Sequence, residues 1–240
     1  YRPASYRDPQ RSILIGDPTF ATEDESESGA VTKTERDLSR GGTWDKLPGT
    51  RREVESIARL LRQEEKPCQM LVGDEAREER VKELSGNAPL LLHIATHGFF
   101  FPVPRAQMKH ERMTLVTRSG GQQLRVEDNP MLRAGLVFSG VNDVWTGAAQ
   151  AAHSDDGILS ALEISRLDLV GTRLVTLSAC ETGRGDITNG EGIFGLQRAF
   201  QVAGAERILM SLWKVADEPT AEMMQDFYRN WLATGNVDKA

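Results

Sequence analysis

The chain has 240 residues and a formal net charge of −6; 39% of its residues are hydrophobic and 27% are charged. This is the composition of an ordinary globular protein, long enough for one large α/β domain with a sizeable core. No segment concentrates Lys and Arg without matching acids, so the acidic balance excludes a surface built to bind nucleic acid directly.

The apolar runs are too short to span a bilayer, and no secretory signal pattern opens the chain, so we expect a cytoplasmic protein without a membrane partner. Two cysteines, Cys68 and Cys180, exclude a disulfide framework and favour free thiols. Tyr1 stands where an intact chain would carry Met. We therefore interpret residues 1–240 as a single domain taken from a longer protein.

The first hundred residues alternate predicted strands and helices. Three short apolar runs are bounded by Gly or Pro and read as buried strands: residues 12–18, 69–73 and 90–96. Residues 50–61 carry a helical apolar stripe, with Thr50 and Glu53 spaced as a capping box, and residues 75–84 form a charged helix. The order β-α-β-α-β predicts a parallel sheet with right-handed crossovers.

The rest of the chain contains two long insert regions and a second run of regular elements. Residues 21–46 lack periodicity and predict a flexible loop, and residues 99–157 predict an insert that contains a hairpin over 112–126 and a strand over 134–139. The elements expected after it are a short helix from residue 160, a strand over 174–177, a helix over 191–203, a strand over 207–212 and a helix over 217–231.

Two of these strands end in side chains suited to nucleophilic catalysis. His97 follows the third strand and Cys180 follows the fourth, so neighbouring parallel strands would place both at one sheet edge. An imidazole activates a thiol by accepting its proton, which makes Cys180 the candidate nucleophile and His97 the acid and base. The backbone amides of Gly98 and Cys180 are the candidate oxyanion hole.

A packing role competes with this interpretation, because buried cysteine is common in protein cores and a single histidine at a strand end is often structural. The pair at matching strand ends favours catalysis. His93 lies four residues before His97 on the same strand face, a placement that invites the interpretation of a metal site. No Glu follows His93 and the segment is predicted as a strand, so a zinc site is disfavoured. We expect no metal and no cofactor, and we assign His93 and Glu181 supporting roles beside the dyad.

Two acids also follow strands. Asp17 ends the first strand and Asp217 follows the fifth, where each either lines a pocket for a basic substrate side chain or caps a turn or helix. The glycines of residues 183–192 are of the kind found in phosphate-binding loops. Neither GxxxxGK[ST] nor a GxGxxG that opens a helix after a strand is present, so nucleotide binding is disfavoured.

Four blocks in order resemble the CHAT domain: LHIATHG at 92–98, SACETG at 178–183, GEG at 190–192 and SLWKVAD at 211–217. The resemblance runs from about residue 13 to the last helix. It implies a three-layer α/β/α sandwich with a mainly parallel central sheet, as in caspases and haemoglobinases. It also implies a His–Cys dyad at His97 and Cys180.

The resemblance further implies a cysteine endopeptidase that cleaves a protein partner, next to tetratricopeptide repeats and, in some members, in bacterial antiphage defence or cell-death control. It strengthens Asp17, because related peptidases place an acid from the first strand in the pocket for a basic P1 residue. Ser178 departs from the Asp that many relatives carry two residues before the nucleophile. Regulation by a flanking or partner domain is expected, since the two inserts flank the cleft by topology.

Two alternatives remain open at the level of the sequence. One is a catalytically silent caspase-like module that binds a protein partner without cutting it. The other is a doubly wound nucleotide-binding domain. Reactivity of Cys180 separates the enzyme from the binding module, and a thermal shift with nucleotides identifies the third class.

Overall fold

The computed structural model describes residues 11–21, 43–100, 130–145, 155–178, 191–210 and 217–237. The strands in these ranges are β1 (Ser12–Pro18), β2 (Cys68–Gly73), β3 (Leu91–Ala95), β4 (Gly98–Phe100), β5 (Ala134–Val137), β6 (Ile158–Ser160), β7 (Leu174–Leu177) and β8 (Ile208–Met210). The helices are α1 (Pro48–Gln63), α2 (Glu78–Lys82), α3 (Val141–Trp145), α4 (Ala161–Ile164), α5 (Glu191–Val202) and α6 (Asp217–Thr234), and Pro130–Leu132 forms one 3-10 turn.

The main sheet in the described residues has the order β2-β1-β3-β7-β8, and every pair within it is parallel. The helices α1 and α2 make the crossovers between β1, β2 and β3, as the alternating sequence pattern predicts. The α/β class and the mainly parallel sheet are therefore confirmed.

Alternate residues of the central strands face two separate cores. Leu14, Leu91 and Leu174 pack against α1 and α6, whereas Ile94 and Val175 pack on the opposite side with α2, α4 and α5. Burial on both faces explains why these strands are continuous apolar runs rather than alternating ones. The result is the three-layer α/β/α arrangement expected above.

A small antiparallel sheet, β4-β5-β6, joins the main sheet at the end of β3. The backbone N–H of Val137 donates to the carbonyl oxygen of His97 at 3.0 Å, which fixes the chain just beyond β3. The strand expected over 134–139 is confirmed as Ala134–Val137. The hairpin expected over 112–126 lies outside the described residues.

The capping box predicted for α1 is wrong. The helix begins at Pro48 and its N-cap is Leu47, because proline in the first turn already has the helical φ and needs no amide partner. Thr50 Oγ1 instead donates to the Leu47 carbonyl at 2.7 Å and accepts the Asp17 amide at 2.9 Å. Glu53 makes no capping contact, and its side chain is buried in the core.

Other boundaries shift only slightly. Helix α2 is shorter than the stretch 75–84 expected from its charge pattern, and α4 begins after a capping box formed by Ser160 and Glu163. Among the helices described, we find none with the length and apolarity that crossing a membrane requires.

Candidate active site

The strand that leads to His97 and the strand that leads to Cys180 lie side by side. Strand β3 pairs with β7 with Ile94 opposite Leu177, and the amide of Ser178 donates to the Ile94 carbonyl at 2.9 Å. The predicted adjacency of the two strands is confirmed. Cys180 and Glu181 lie outside the described residues, so the distance between the sulfur and the imidazole stays a prediction.

His97 sits in an aromatic pocket just past the end of β3. Its side chain is buried, and the centroid of its ring lies 5.2 Å from that of the Phe20 ring and 5.3 Å from that of the Trp44 ring. Its Nε2 atom lies 2.8 Å from the backbone carbonyl oxygen of Asp45. Because a carbonyl only accepts, Nε2 carries the hydrogen, and in the neutral ring Nδ1 is then the proton-accepting atom.

The short segment 43–46 lines one side of this pocket. Trp44 donates its amide to Asn142 Oδ1 at 2.8 Å, and the Asn142 side-chain amide donates back to the Trp44 carbonyl at 3.0 Å. The Trp44 side chain is buried with Phe20 and Phe99 in a small apolar cluster. Most of the flexible loop expected over 21–46 lies outside the described residues. For residues 43–46 that expectation misses these contacts, although a single Trp in a polar stretch is the signal that marks them.

Gly98 opens β4 directly after His97 and pairs with Leu136. Since the neighbouring Val137 amide donates to the His97 carbonyl, the alternation of an antiparallel ladder makes Gly98–Leu136 the non-hydrogen-bonded pair. The Gly98 N–H is therefore turned away from β5. This direction is compatible with its predicted part in an oxyanion hole.

Asp17 lies at the same edge of the sheet, at the end of β1, and β1 pairs with β3, as predicted. Its φ of 49° is unusual for a residue with a side chain. The Asp17 carboxylate is 3.6 Å from the guanidinium of Arg51. Burial raises the pKa of Asp17, and the positive charge of Arg51 opposes that rise. Asp217, the second candidate acid, is the first residue of α6, and its side chain lies outside the described part.

His93 lies outside the His97 pocket, in the core between the sheet and helices α1 and α6. It is fully buried, with Nδ1 3.0 Å from the hydroxyl of Tyr228 and Nε2 2.9 Å from Oε1 of Glu53. The two histidines contact different groups, although a straight strand would put residues four apart on one face. The chain leaves β3 at Ala95, before it reaches His97.

Glu53 and Tyr228 extend His93 into a buried polar network. Oε2 of Glu53 accepts a hydrogen bond from Ser178 Oγ at 3.0 Å, and the Tyr228 hydroxyl donates to Thr176 Oγ1 at 2.9 Å. Burial raises the pKa of Tyr228 well above its ordinary value, so the phenol stays protonated. The sequence pattern does not predict this network. Its one signal was a Glu on the buried stripe of α1, a turn before Ile57.

Comparison with known proteins places this geometry in a family context. The family model of the CHAT domain matches residues 1–240. Tetratricopeptide repeat protein 28 of Mus musculus is 27% identical over 209 residues, which cover 79% of this chain and 7% of the relative. Its counterpart in Homo sapiens is 24% identical over 205 residues, with the same coverage of 79% and 7%. The chain thus spans a small part of the length of the curated relatives that it matches.

Proposed function

Because the chain belongs to the CHAT domain family, a family of caspase-like cysteine peptidase type, we propose that it is a cysteine endopeptidase that cleaves a protein partner. One observation carries the proposal: strands β3 and β7, which lead to His97 and Cys180, are hydrogen-bonded neighbours. The Asp45 carbonyl supports it, because it holds His97 in the tautomer whose Nδ1 can accept a proton.

The proposed mechanism uses the two side chains in turn. His97 Nδ1 takes the proton of the Cys180 thiol, and the thiolate attacks the scissile carbonyl while the amides of Gly98 and Cys180 hold the oxyanion. His97 then gives the proton to the leaving amine, which leaves a thioester. Water, deprotonated by His97, hydrolyses the thioester and restores the thiol. The carbonyl of Asp45 stabilises the imidazolium at each stage.

Selective labelling of Cys180 tests the enzyme against the silent binding module. At pH 6 an ordinary thiol is less than about 1% thiolate, so we expect iodoacetamide to modify Cys180 at least about tenfold faster than Cys68 in the full-length protein. The rates of both cysteines in urea give the intrinsic reference. Equal slow rates at the two thiols contradict the proposal and favour a module that binds without cutting.

A basic P1 residue is the substrate feature that Asp17 would recognise, with Asp217 as the second candidate acid of the same pocket. A charge-assisted hydrogen bond to a basic side chain is worth about 10- to 100-fold in rate. We therefore expect Asp17→Asn to lower cleavage after Arg or Lys by that factor, with a smaller effect after uncharged residues. Peptide libraries that vary P1 measure this preference.

The exposed Asp74, just past the neighbouring strand β2, supplies the matched control. Asp74→Asn removes the same charge near the same sheet edge and should leave the P1 preference unchanged. If Asp17→Asn also leaves that preference unchanged, Asp17 serves the turn at the end of β1 and Arg51 rather than the substrate.

The two relatives are named as tetratricopeptide repeat proteins. We propose that such repeats, or a regulatory partner, flank this domain and control access to Cys180. The labelling experiment also tests this proposal: iodoacetamide should modify Cys180 at a different rate in residues 1–240 alone than in the full-length protein. Identical rates with and without the flanking chain would contradict control by that region.

A further inference from the structure

The buried network between the sheet and helices α1 and α6 joins His93 to Tyr228 and Glu53. The Tyr228 hydroxyl donates its hydrogen to Thr176, so it accepts one from Nδ1 of His93. Oε1 of Glu53 and Nε2 of His93 are 2.9 Å apart, off the line of a straight hydrogen bond, and neither atom has a hydrogen-bond partner among the described residues. Glu53 and His93 thus belong to one buried polar cluster.

The other oxygen of Glu53 reaches the strand that leads to Cys180. Ser178, the first residue after β7, is held twice: its amide donates to the Ile94 carbonyl and its hydroxyl donates to Glu53. The pairing of β7 with β3 ends at Leu177. These two bonds are thus the described contacts that fix the chain two residues before Cys180.

His97 is fixed by a different set of contacts. Its ring contacts the rings of Phe20 and Trp44, and its Nε2 donates to the Asp45 carbonyl. Its own carbonyl accepts from the amide of Val137. None of these contacts involves the Glu53 network. The chain that leads to Cys180 and the ring of His97 are thus held by separate described contacts, and Glu53 supplies one on the side of Cys180.

We propose that Glu53 and Ser178 are positioning residues for the Cys180 nucleophile, an inference that rests on the proposed function. A buried ionisable pair stabilises a fold little better than apolar residues of the same volume, so stability alone does not account for it at this place. A directional hydrogen bond does more for geometry: it sets the orientation of Ser178. A displacement of about 1 Å at a reacting group lowers rates by up to about 10²-fold.

Four variants of the full-length protein separate positioning from stability. Ser178→Ala removes the hydroxyl that donates to Glu53, and Glu53→Leu removes the carboxylate that accepts this hydrogen bond. Glu53→Gln keeps the hydrogen bond, because its amide oxygen accepts from Ser178 and its NH₂ group donates to His93. Ile57→Val is the stability control, since Ile57 is fully buried on the same helix and outside the network.

The first readout is the rate at which iodoacetamide alkylates Cys180 as a function of pH. A thiol displaced from its imidazole loses thiolate at low pH, so we expect Ser178→Ala and Glu53→Leu to react about tenfold more slowly than wild type at pH 6. Glu53→Gln and Ile57→Val should stay within about twofold of wild type. With the substrate in hand, the first two variants should lower kcat by about 10- to 100-fold with KM little changed.

The outcomes distinguish this inference from the proposed function. If wild-type Cys180 reacts no faster than Cys68, the proposed function fails and the inference fails with it. If wild-type Cys180 is fast and remains equally fast in Ser178→Ala, the enzyme stands and the positioning role is overturned. Should Glu53→Leu not fold, Ser178→Ala alone decides. A loss of reactivity in Ile57→Val as large as in Ser178→Ala also overturns it, because stability then explains both.

Discussion

We expect His97→Ala to lower kcat/KM for the protein substrate by at least about 10³-fold, and Cys180→Ala to abolish cleavage. The thiolate forms only when a base takes the thiol proton, and positioned acid–base catalysis contributes roughly 10²- to 10⁴-fold in known enzymes. Removal of the sulfur eliminates the thioester route altogether. The measurement is the rate at which a new N-terminus appears when the full-length protein is incubated with candidate partner proteins.

The double variant provides the strictest control, because residues that act as one unit are not additive. His97→Ala combined with Cys180→Ala should be no slower than Cys180→Ala alone. His97→Gln separates chemistry from packing, since its amide can still donate to the Asp45 carbonyl and fill the space between Phe20 and Trp44. It should be as inactive as His97→Ala.

The pH profile of Cys180 alkylation gives a substrate-free check of the same pairing. In wild type the inflection should lie well below the ordinary thiol pKa of about 8.5, because the imidazolium stabilises the thiolate. In His97→Ala it should move up to about that value. A His97→Ala protein that cleaves within tenfold of wild type, or whose thiol inflection is unmoved, would contradict the dyad.

The parallel sheet could be predicted from the sequence because its strands are buried on both faces. Such strands are short continuous apolar runs, and Gly, Pro or a polar residue ends each of them. The bounds of β1 and β7 therefore agree with those predicted, at Ser12–Pro18 and Leu174–Leu177. The edge where His97 and Asp17 lie follows from strand order alone, since parallel strands share their carboxyl ends.

The surroundings of His97 could not be predicted in the same way. Phe20, Trp44 and Asp45 come from segments without periodicity, and their place around the ring depends on long-range contacts such as the paired bonds between Trp44 and Asn142. Local patterns carry no information about such contacts. Trp44 in particular stands in a stretch whose composition predicts flexibility.

Glu53 shows how a local rule is overridden by tertiary structure. Its spacing from Thr50 matches a capping box, and the local pattern alone gives no reason to reject one. The fold places His93 and Ser178 opposite its side chain, and Pro48 starts the helix two residues earlier. Its place on the apolar stripe of α1 indicates burial, but only knowledge that β3 and β7 lie beneath α1 identifies its partners.

A second buried charged cluster lies away from the candidate site and ties α2 to the chain around β6 and α4. Nζ of Lys82 is 2.6 Å from Glu78 Oε1, 3.2 Å from Asp155 Oδ1 and 3.1 Å from Glu163 Oε1. Burial lowers the pKa of Lys82, but its hydrogen bond to Glu78 and the nearby negative charges outweigh that effect and hold it above its ordinary value. One cation thus contacts three carboxyl groups.

Burial raises the pKa of Glu78 to about 8 and that of nearby Asp156 to about 6. A carboxyl whose pKa is raised on folding stabilises the fold fully below its unfolded value, and this contribution is lost as the pH rises through the folded value. These two groups therefore lower the stability of the protein as the pH rises from about 4 to about 8. The charge of Lys82 limits that loss.

We expect Lys82→Met to lower the free energy of unfolding by about 2–3 kcal/mol at pH 8, the lower end of the cost of breaking a buried ion pair, since the Lys82 side chain is 30% exposed. At pH 5 the loss should be smaller, because Glu78 and Asp156 are then largely protonated and Lys82 keeps only its contacts with Asp155 and Glu163 as ion pairs. Urea unfolding at the two pH values measures the difference. Lys66→Met, at an exposed lysine just past α1, should change stability by less than about 0.5 kcal/mol at both. A Lys82→Met loss that is equal at pH 5 and pH 8 would show that Lys82 acts through its aliphatic packing rather than through its charge.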